Sequence, residues 1–149
     1  MKKFVYVTLG LILVILLLFV VYKHFSLHIR HKVDLVKVID GDTIVISDFL
    51  NVNYRIRFIG IDCFETSTIN RTYKQAYENK LSIEDVMKIG NESTKILENQ
   101  LNKASKNLYL EPKGLDKYGR TLGVIYIGET NMNDYMIQYG KCSVFNYDN

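Results

Sequence analysis

The sequence predicts an α+β protein: a barrel of five short strands with two or three helices, preceded by one N-terminal transmembrane helix. Three observations predict it. Phe4 to Tyr22 is a run of nineteen residues without a charge. Five short stretches rich in β-branched and aromatic residues follow, and helical periodicity is inserted after the third. With 149 residues, one Pro and no internal repeat, the chain has room for one domain and an appendage. Residues 1–32 are read as an anchor with a basic juxtamembrane spacer, and residues 33–149 as the barrel domain.

At about 1.5 Å of rise per residue, the uncharged run matches roughly the 30 Å of a hydrocarbon core. A removed secretory signal is the alternative, but Tyr22-Lys23-His24-Phe25 offers no small-x-small cleavage site. Lys2 and Lys3 on one side are balanced by Lys23, Arg30 and Lys32 on the other, so charge assigns no orientation. His24 to Lys32 reads as a solvated spacer, with anionic headgroups as an alternative neighbour.

The net charge of +3 is unevenly placed. Residues 1–32 carry five Lys or Arg and no acid, which leaves 14 basic against 16 acidic residues beyond them. A slightly acidic domain excludes binding of nucleic acid through a broad basic face, so phosphate has to be held by a few placed groups. It also predicts a shallow salt dependence, because few counterions are displaced. Cys63 and Cys142 lack metal-ligand spacing and are too few for a disulfide framework. Buried free thiols are the default, and a disulfide is the alternative in an oxidising compartment.

Within the domain, Val33 to Val38, Thr43 to Ser47 and Tyr54 to Ile61 are expected strands. A loop near Leu50 to Asn53 makes the second and third an antiparallel hairpin. Ser67 to Ile89 is polar and reads as a mobile, partly helical excursion, with Ser82 and Asp85 in a capping pattern. From Asn91 to Ala104, the spacing of Ile96, Leu97, Leu101 and Ala104 predicts an amphipathic helix. Leu108 to Leu110 and Leu122 to Ile127 are the last two strands, followed by a helix over Met132 to Tyr139 that stops at Gly140. Five short strands with a helix after the third fit the oligonucleotide-binding (OB) barrel.

The hairpin brings two acidic segments together, Asp40-Gly41-Asp42-Thr43 and Asp62-Cys63-Phe64-Glu65. If paired residue numbers sum to about 104, Asp42 faces Asp62 at the hairpin's open end. Two like charges that close favour a cation. Oxygen ligands without His or thiolate partners suit calcium or magnesium rather than zinc. Arg57 lies on the same strand as Asp62, and Arg120 follows Asp116-Lys117-Tyr118-Gly119, so two guanidinium groups beside a metal point to phosphate.

From about Val36 to Val144, four ordered blocks resemble the staphylococcal-type thermonucleases. The first is Val38-Ile39-Asp40-Gly41-Asp42-Thr43, and the second runs from Arg57 to Thr66. Asp116-Lys117-Tyr118-Gly119-Arg120 is the third, and Asn133 to Gly140 the fourth. The resemblance implies that Asp42, Asp62 and the backbone carbonyl of Cys63 hold calcium. It further implies that Arg57 and Arg120 clamp the scissile phosphate, that Glu65 activates water, and that Lys117 and Tyr118 touch a neighbouring phosphate.

The sequence departs from that family where Cys63 replaces Thr and Phe64 replaces Pro, which removes the rigid φ of the loop. The excursion after Glu65 is long, and the resemblance would continue past Asn149 into another helix.

The expected function is therefore a calcium-dependent nuclease that hydrolyses DNA, RNA or both, favouring single strands and leaving 3′-phosphates. A catalytically inactive OB module that binds nucleic acid is the alternative, and a purely structural membrane-tethered domain is a third reading. The expected partners are nucleic acid and, through the N-terminal helix, a membrane; no protein partner is predicted. The expected location is single-pass in a membrane with the domain outside the cytoplasm, because an unregulated nuclease facing the genome is harmful. Secretion after signal cleavage is the alternative.

Overall fold

A computed structural model describes residues 2–26, 29–104 and 107–146. In chain order, the elements begin with α1 (Lys2–Ser26), β1 (His31–Lys32), β2 (Asp34–Asp40), β3 (Thr43–Ser47), β4 (Asn53–Phe58) and β5 (Ile61–Asp62). Two helices follow, α2 (Asn70–Asn79) and α3 (Ile83–Lys103). The chain continues through β6 (Leu108–Leu115), β7 (Thr121–Ile127), β8 (Thr130–Asn131), α4 (Met132–Tyr139) and β9 (Ser143–Val144).

The main sheet runs β1-β6-β7-β4-β3-β2, with β8 on β7. Pairing is antiparallel except between β4 and β7, which run parallel. Val33 alone separates β1 from β2, and its N–H donates to the Leu108 carbonyl at 3.0 Å. One nearly continuous strand thus pairs with β3 at one end and β6 at the other, so the sheet returns on itself. This is the five-strand barrel expected from the sequence, with small strands added.

The interior follows from strand alternation. Ile44 and Ile46 of β3, Ile56 and Phe58 of β4 and Ile125 of β7 are buried on the inner face. Leu97 and Leu101, one turn apart on α3, close that core with Met132 and Met136 of α4. Each such side chain contributes about 1.5–3 kcal/mol through burial. Asn133 fastens α4 to the barrel, since its Nδ2 donates to the carbonyls of Ile59 (2.8 Å) and Gly123 (3.2 Å). Its Oδ1 accepts from the Ile125 N–H at 3.2 Å.

The structure corrects five expectations. The β3–β4 register pairs Thr43 with Arg57 and Ser47 with Asn53, so paired numbers sum to 100 and Asp42 does not face Asp62. The turn is centred two residues earlier than expected, near Leu50: the Asp48 carboxylate accepts from the N–H groups of Leu50 and Val52, and Asn51 takes a left-handed φ of 59°. Asp62 instead returns through a turn at Ile59–Gly60, where Gly60 has φ 79°.

The excursion is ordered as α2 and the start of α3, and Ser82 caps α3 by accepting from the Asp85 N–H at 3.0 Å. The expected helix from Asn91 is the second half of α3. Gly90, within α3, is a point of contact: a Cβ there would lie 2.4 Å from the Glu65 carbonyl oxygen and 2.6 Å from that of Phe64. Gly90→Ala is expected to push the 64–65 backbone away and destabilise the fold by about 1–3 kcal/mol. Thermal denaturation checks this, and an unchanged melting temperature would rule out the contact.

The cysteines are joined: Cys63 and Cys142 form a disulfide across 79 residues of sequence, so the free-thiol default is wrong. Spacing alone carries no sign of a bond made by tertiary folding.

Among the described residues, no helix is long and apolar enough to cross a membrane, and the expected transmembrane helix is not borne out. The side chains described on α1 are those of Tyr6 and residues 10–22, all exposed. Residues 27–28 of the expected spacer lie outside the described residues. Its C-terminal part is not a loose spacer: His31 and Lys32 pair with β6, and the Arg30 guanidinium lies 3.7 Å above the Tyr126 ring, 2.9 Å from Glu129.

Candidate active site

The site forms where the β2–β3 turn, the end of β4, the 61–65 loop and the β6–β7 turn meet. Gly41 lets the first of these approach the third, because a Cβ there would lie 2.9 Å from Cys63 Cβ. Asp42 is buried, and its Oδ2 accepts from the Cys63 N–H at 2.8 Å. Its Oδ1 accepts from the Thr43 hydroxyl at 3.1 Å and pairs with Arg57. Arg57, also buried, donates from Nη2 to Asp62 Oδ1 at 2.8 Å. One guanidinium therefore holds both aspartates, which the strand register alone does not bring together. A buried cluster of this kind is tolerable because each charge is paired.

Asp42, Arg57, Cys63, Glu65, Tyr118 and Arg120 line one cleft of about 450 Å³. Asp62 and Lys117 line an adjoining cleft of about 1290 Å³, which also reaches Arg57, Tyr118 and Arg120. All eight residues expected from the sequence thus border two contiguous clefts. Arg120 is oriented by Asp116, whose Oδ2 accepts from Arg120 Nε at 2.7 Å and whose Oδ1 accepts from the Arg120 N–H at 2.8 Å. Lys117 Nζ and the Arg120 guanidinium lie 5.1 Å and 5.7 Å from the Tyr118 ring centre.

The carboxylates differ in their readiness to hold a proton. Burial raises the pKa of Glu65, and the nearby charge of Asp40 raises it further, while Arg57 and Arg120 pull it down. Asp40 is likewise raised by burial, against hydrogen bonds from Thr43 and the charges of Arg57 and Arg55. Glu65 is therefore a better proton acceptor than a solvated glutamate.

Two residues that sequence reasoning missed come from α2. Gln75 is buried and straddles Phe64: its Oε1 accepts from the Glu65 N–H at 2.9 Å, and its Nε2 donates to the Cys63 carbonyl at 3.0 Å. This clamp ties the backbone on both sides of Phe64 to α2. Arg71 pairs with Asp62, and its Nε lies 3.3 Å from Glu65 Oε1. Nothing local in Asn70–Asn79 marks either residue; only the docking of the helix does.

Among the described residues, no group of three or more His, Cys, Asp or Glu side chains is placed to hold a metal. The expected set has two carboxylates and one carbonyl, with water completing the shell in such sites. Its chemistry fits a hard cation, because the Cys63 sulfur is bound in the disulfide and only oxygen donors remain.

Comparison with known proteins adds an independent line. The family model described as Staphylococcal nuclease homologue matches residues 55–149. A thermonuclease of Staphylococcus intermedius is 38% identical over 120 residues, which cover 80% of this chain and 63% of that protein. A thermonuclease of Staphylococcus hyicus is 30% identical over 105 residues, covering 70% and 54%. An uncharacterized endonuclease of Haemophilus influenzae is 32% identical over 105 residues, covering 70% and 47%. The chain thus spans from about half to somewhat under two thirds of these relatives. The family match is one stretch from β4 through the Glu65 loop to the Arg120 turn and beyond, and the chain belongs to the staphylococcal nuclease family.

Proposed function

We propose that the protein is a calcium-dependent nuclease that hydrolyses phosphodiester bonds of DNA, RNA or both, favouring single strands and leaving 3′-phosphates. The observation that carries this reading is the convergence of Glu65, Arg57 and Arg120 on one cleft beside Asp42 and Asp62.

In this reading, Glu65 accepts a proton from the attacking water, a role that its raised pKa supports. As the water oxygen bonds to phosphorus, the P–O5′ bond breaks, and the 5′ oxygen takes a proton from solvent water to leave as the hydroxyl, while Glu65 returns its proton to solvent. Arg57 and Arg120 receive the charge that builds on the non-bridging oxygens, and their planar forks suit bidentate contact. Each is already oriented by a carboxylate, Arg57 by Asp42 and Asp62, and Arg120 by Asp116. Lys117 and Tyr118 take a neighbouring phosphate. Asp42, Asp62 and the second lone pair of the Cys63 carbonyl would hold calcium. The ion, when bound, supplies neutralisation of phosphate charge.

The proposed location is outside the cytoplasm. The Cys63–Cys142 bond supports an oxidising compartment, and the exposed apolar side chains from Leu11 to Val21 on α1 support attachment to a membrane. Recovery in the membrane fraction and digestion by protease added to intact cells are the expected results. Protection of the domain would place it inside, and recovery from the medium without α1 would favour secretion.

The activity is tested by incubating the full chain with single-stranded DNA, with calcium and with chelator, beside Glu65→Gln. Calcium-dependent cutting that the variant lacks is expected. A folded chain that binds but does not cut would be a binding module.

A further inference from the structure

The helix α2 carries charge into the site, and none of the roles above uses it. Arg71 sits in its first turn, with its guanidinium between Asp62 and Glu65. Its position is fixed by more than its own ion pairs. Gln75, one turn along, is bonded to the backbone on both sides of Phe64, and the Thr72 hydroxyl donates to the Ser67 carbonyl at 2.6 Å. Arg71 borders both clefts, on the smaller one with Glu65 and Arg120 and on the larger with Lys74 and Lys117. Its side chain is 38% exposed, whereas those of Asp62 and Glu65 are 18% exposed, so the cation lies on the solvent side of the acids.

Electrostatics gives this placement its meaning. Asp40, Asp42, Asp62 and Glu65 gather four carboxylates at the place where the proposed function requires a polyanion to enter. A guanidinium stationed over them lowers that repulsion. Its fork of N–H donors has the planar geometry that grips phosphate oxygens.

We infer that Arg71 is a third phosphate-binding arginine, delivered by α2, which contacts the substrate strand where the two clefts meet. The inference rests on the nuclease reading and adds to it a residue outside the resemblance-derived set. α2 is then a wall of the strand-binding groove rather than a surface excursion.

The test uses the full chain in the Glu65→Gln background and a fluorescent single-stranded oligonucleotide, with affinity measured by polarisation across a salt series. Arg71→Ala is expected to weaken binding about tenfold or more. It should also lower the slope of log affinity against log salt by about 0.7, the share of one phosphate contact on a single strand. Arg71→Lys should restore the slope, because it restores the charge. With Glu65 present, Arg71→Ala should raise KM more than it lowers kcat. Melting curves confirm that each variant is folded.

An unchanged slope and KM in a folded Arg71→Ala chain would overturn the inference, while loss of cutting in Arg120→Ala would leave the nuclease reading standing. If the parent chain neither bound nor cut nucleic acid, both would fall. If Arg71→Ala alone failed to fold, an unchanged slope in Arg71→Lys and a lowered one in Arg71→Gln would support the inference, and equal slopes in all three folded forms would overturn it.

Discussion

Glu65→Gln is expected to lower kcat by at least ~10² while KM changes little, and Arg120→Ala to lower kcat/KM by a similar factor. Glutamine keeps the volume and one acceptor but cannot take a proton, so its loss falls on the chemical step. Arg120 stands at the mouth of the same cleft, held by Asp116, and its removal deletes a donor that strengthens as charge builds on the phosphate. Steady-state kinetics on single-stranded DNA with calcium measures both, and wild-type rates in the two variants would sink the assignment.

The acid limb of the pH profile provides a second readout of Glu65. Its pKa lies above the ordinary value of 4.5 because of burial and the charge of Asp40, so kcat/KM should fall as pH drops through that raised value. The residual activity of Glu65→Gln should lack this limb. An unchanged limb in the variant would assign it to another group.

The second large effect is on stability. Replacing Cys142 by Ser is expected to cost about 4.5 kcal/mol, the entropy of a loop of this length in the unfolded chain. The effect should also reach the site, because Cys63 donates its N–H to Asp42 and its carbonyl accepts from Gln75. Chemical denaturation of the oxidised chain, the reduced chain and Cys142→Ser measures the loss. Reduced and oxidised forms with the same midpoint would contradict it.

Much of this molecule is legible in its sequence. The strands are marked by β-branched runs, such as Thr43–Ser47, which carries the buried Ile44 and Ile46. The acidic segments and Arg120 are marked by residue type and order. What escaped is tertiary. The hairpin register shifted because one side chain, Asp48, collects two backbone N–H groups and centres the turn near Leu50. The use of Gly90, close approach to the 64–65 carbonyls, is visible only once it is known what passes beside the helix. Gln75 and Arg71 lay in a polar stretch, and their partners are 6 to 12 residues away on β5 and the loop after it. The disulfide joined residues whose nearness depends on the whole barrel.

The parallel pairing of β4 with β7 has a consequence for synthesis. It sets Arg57 beside Leu122, so Arg120 reaches the acids only through a strand made much later in the chain. At roughly 5–20 residues per second, the ribosome adds Arg120 several seconds after Arg57. During that interval a nascent chain already carries Asp42, Asp62 and Glu65, but it has no cleft and no second arginine. In the proposed nuclease reading, a chain stalled before β7 is therefore expected to be inactive, and activity awaits completion of the barrel.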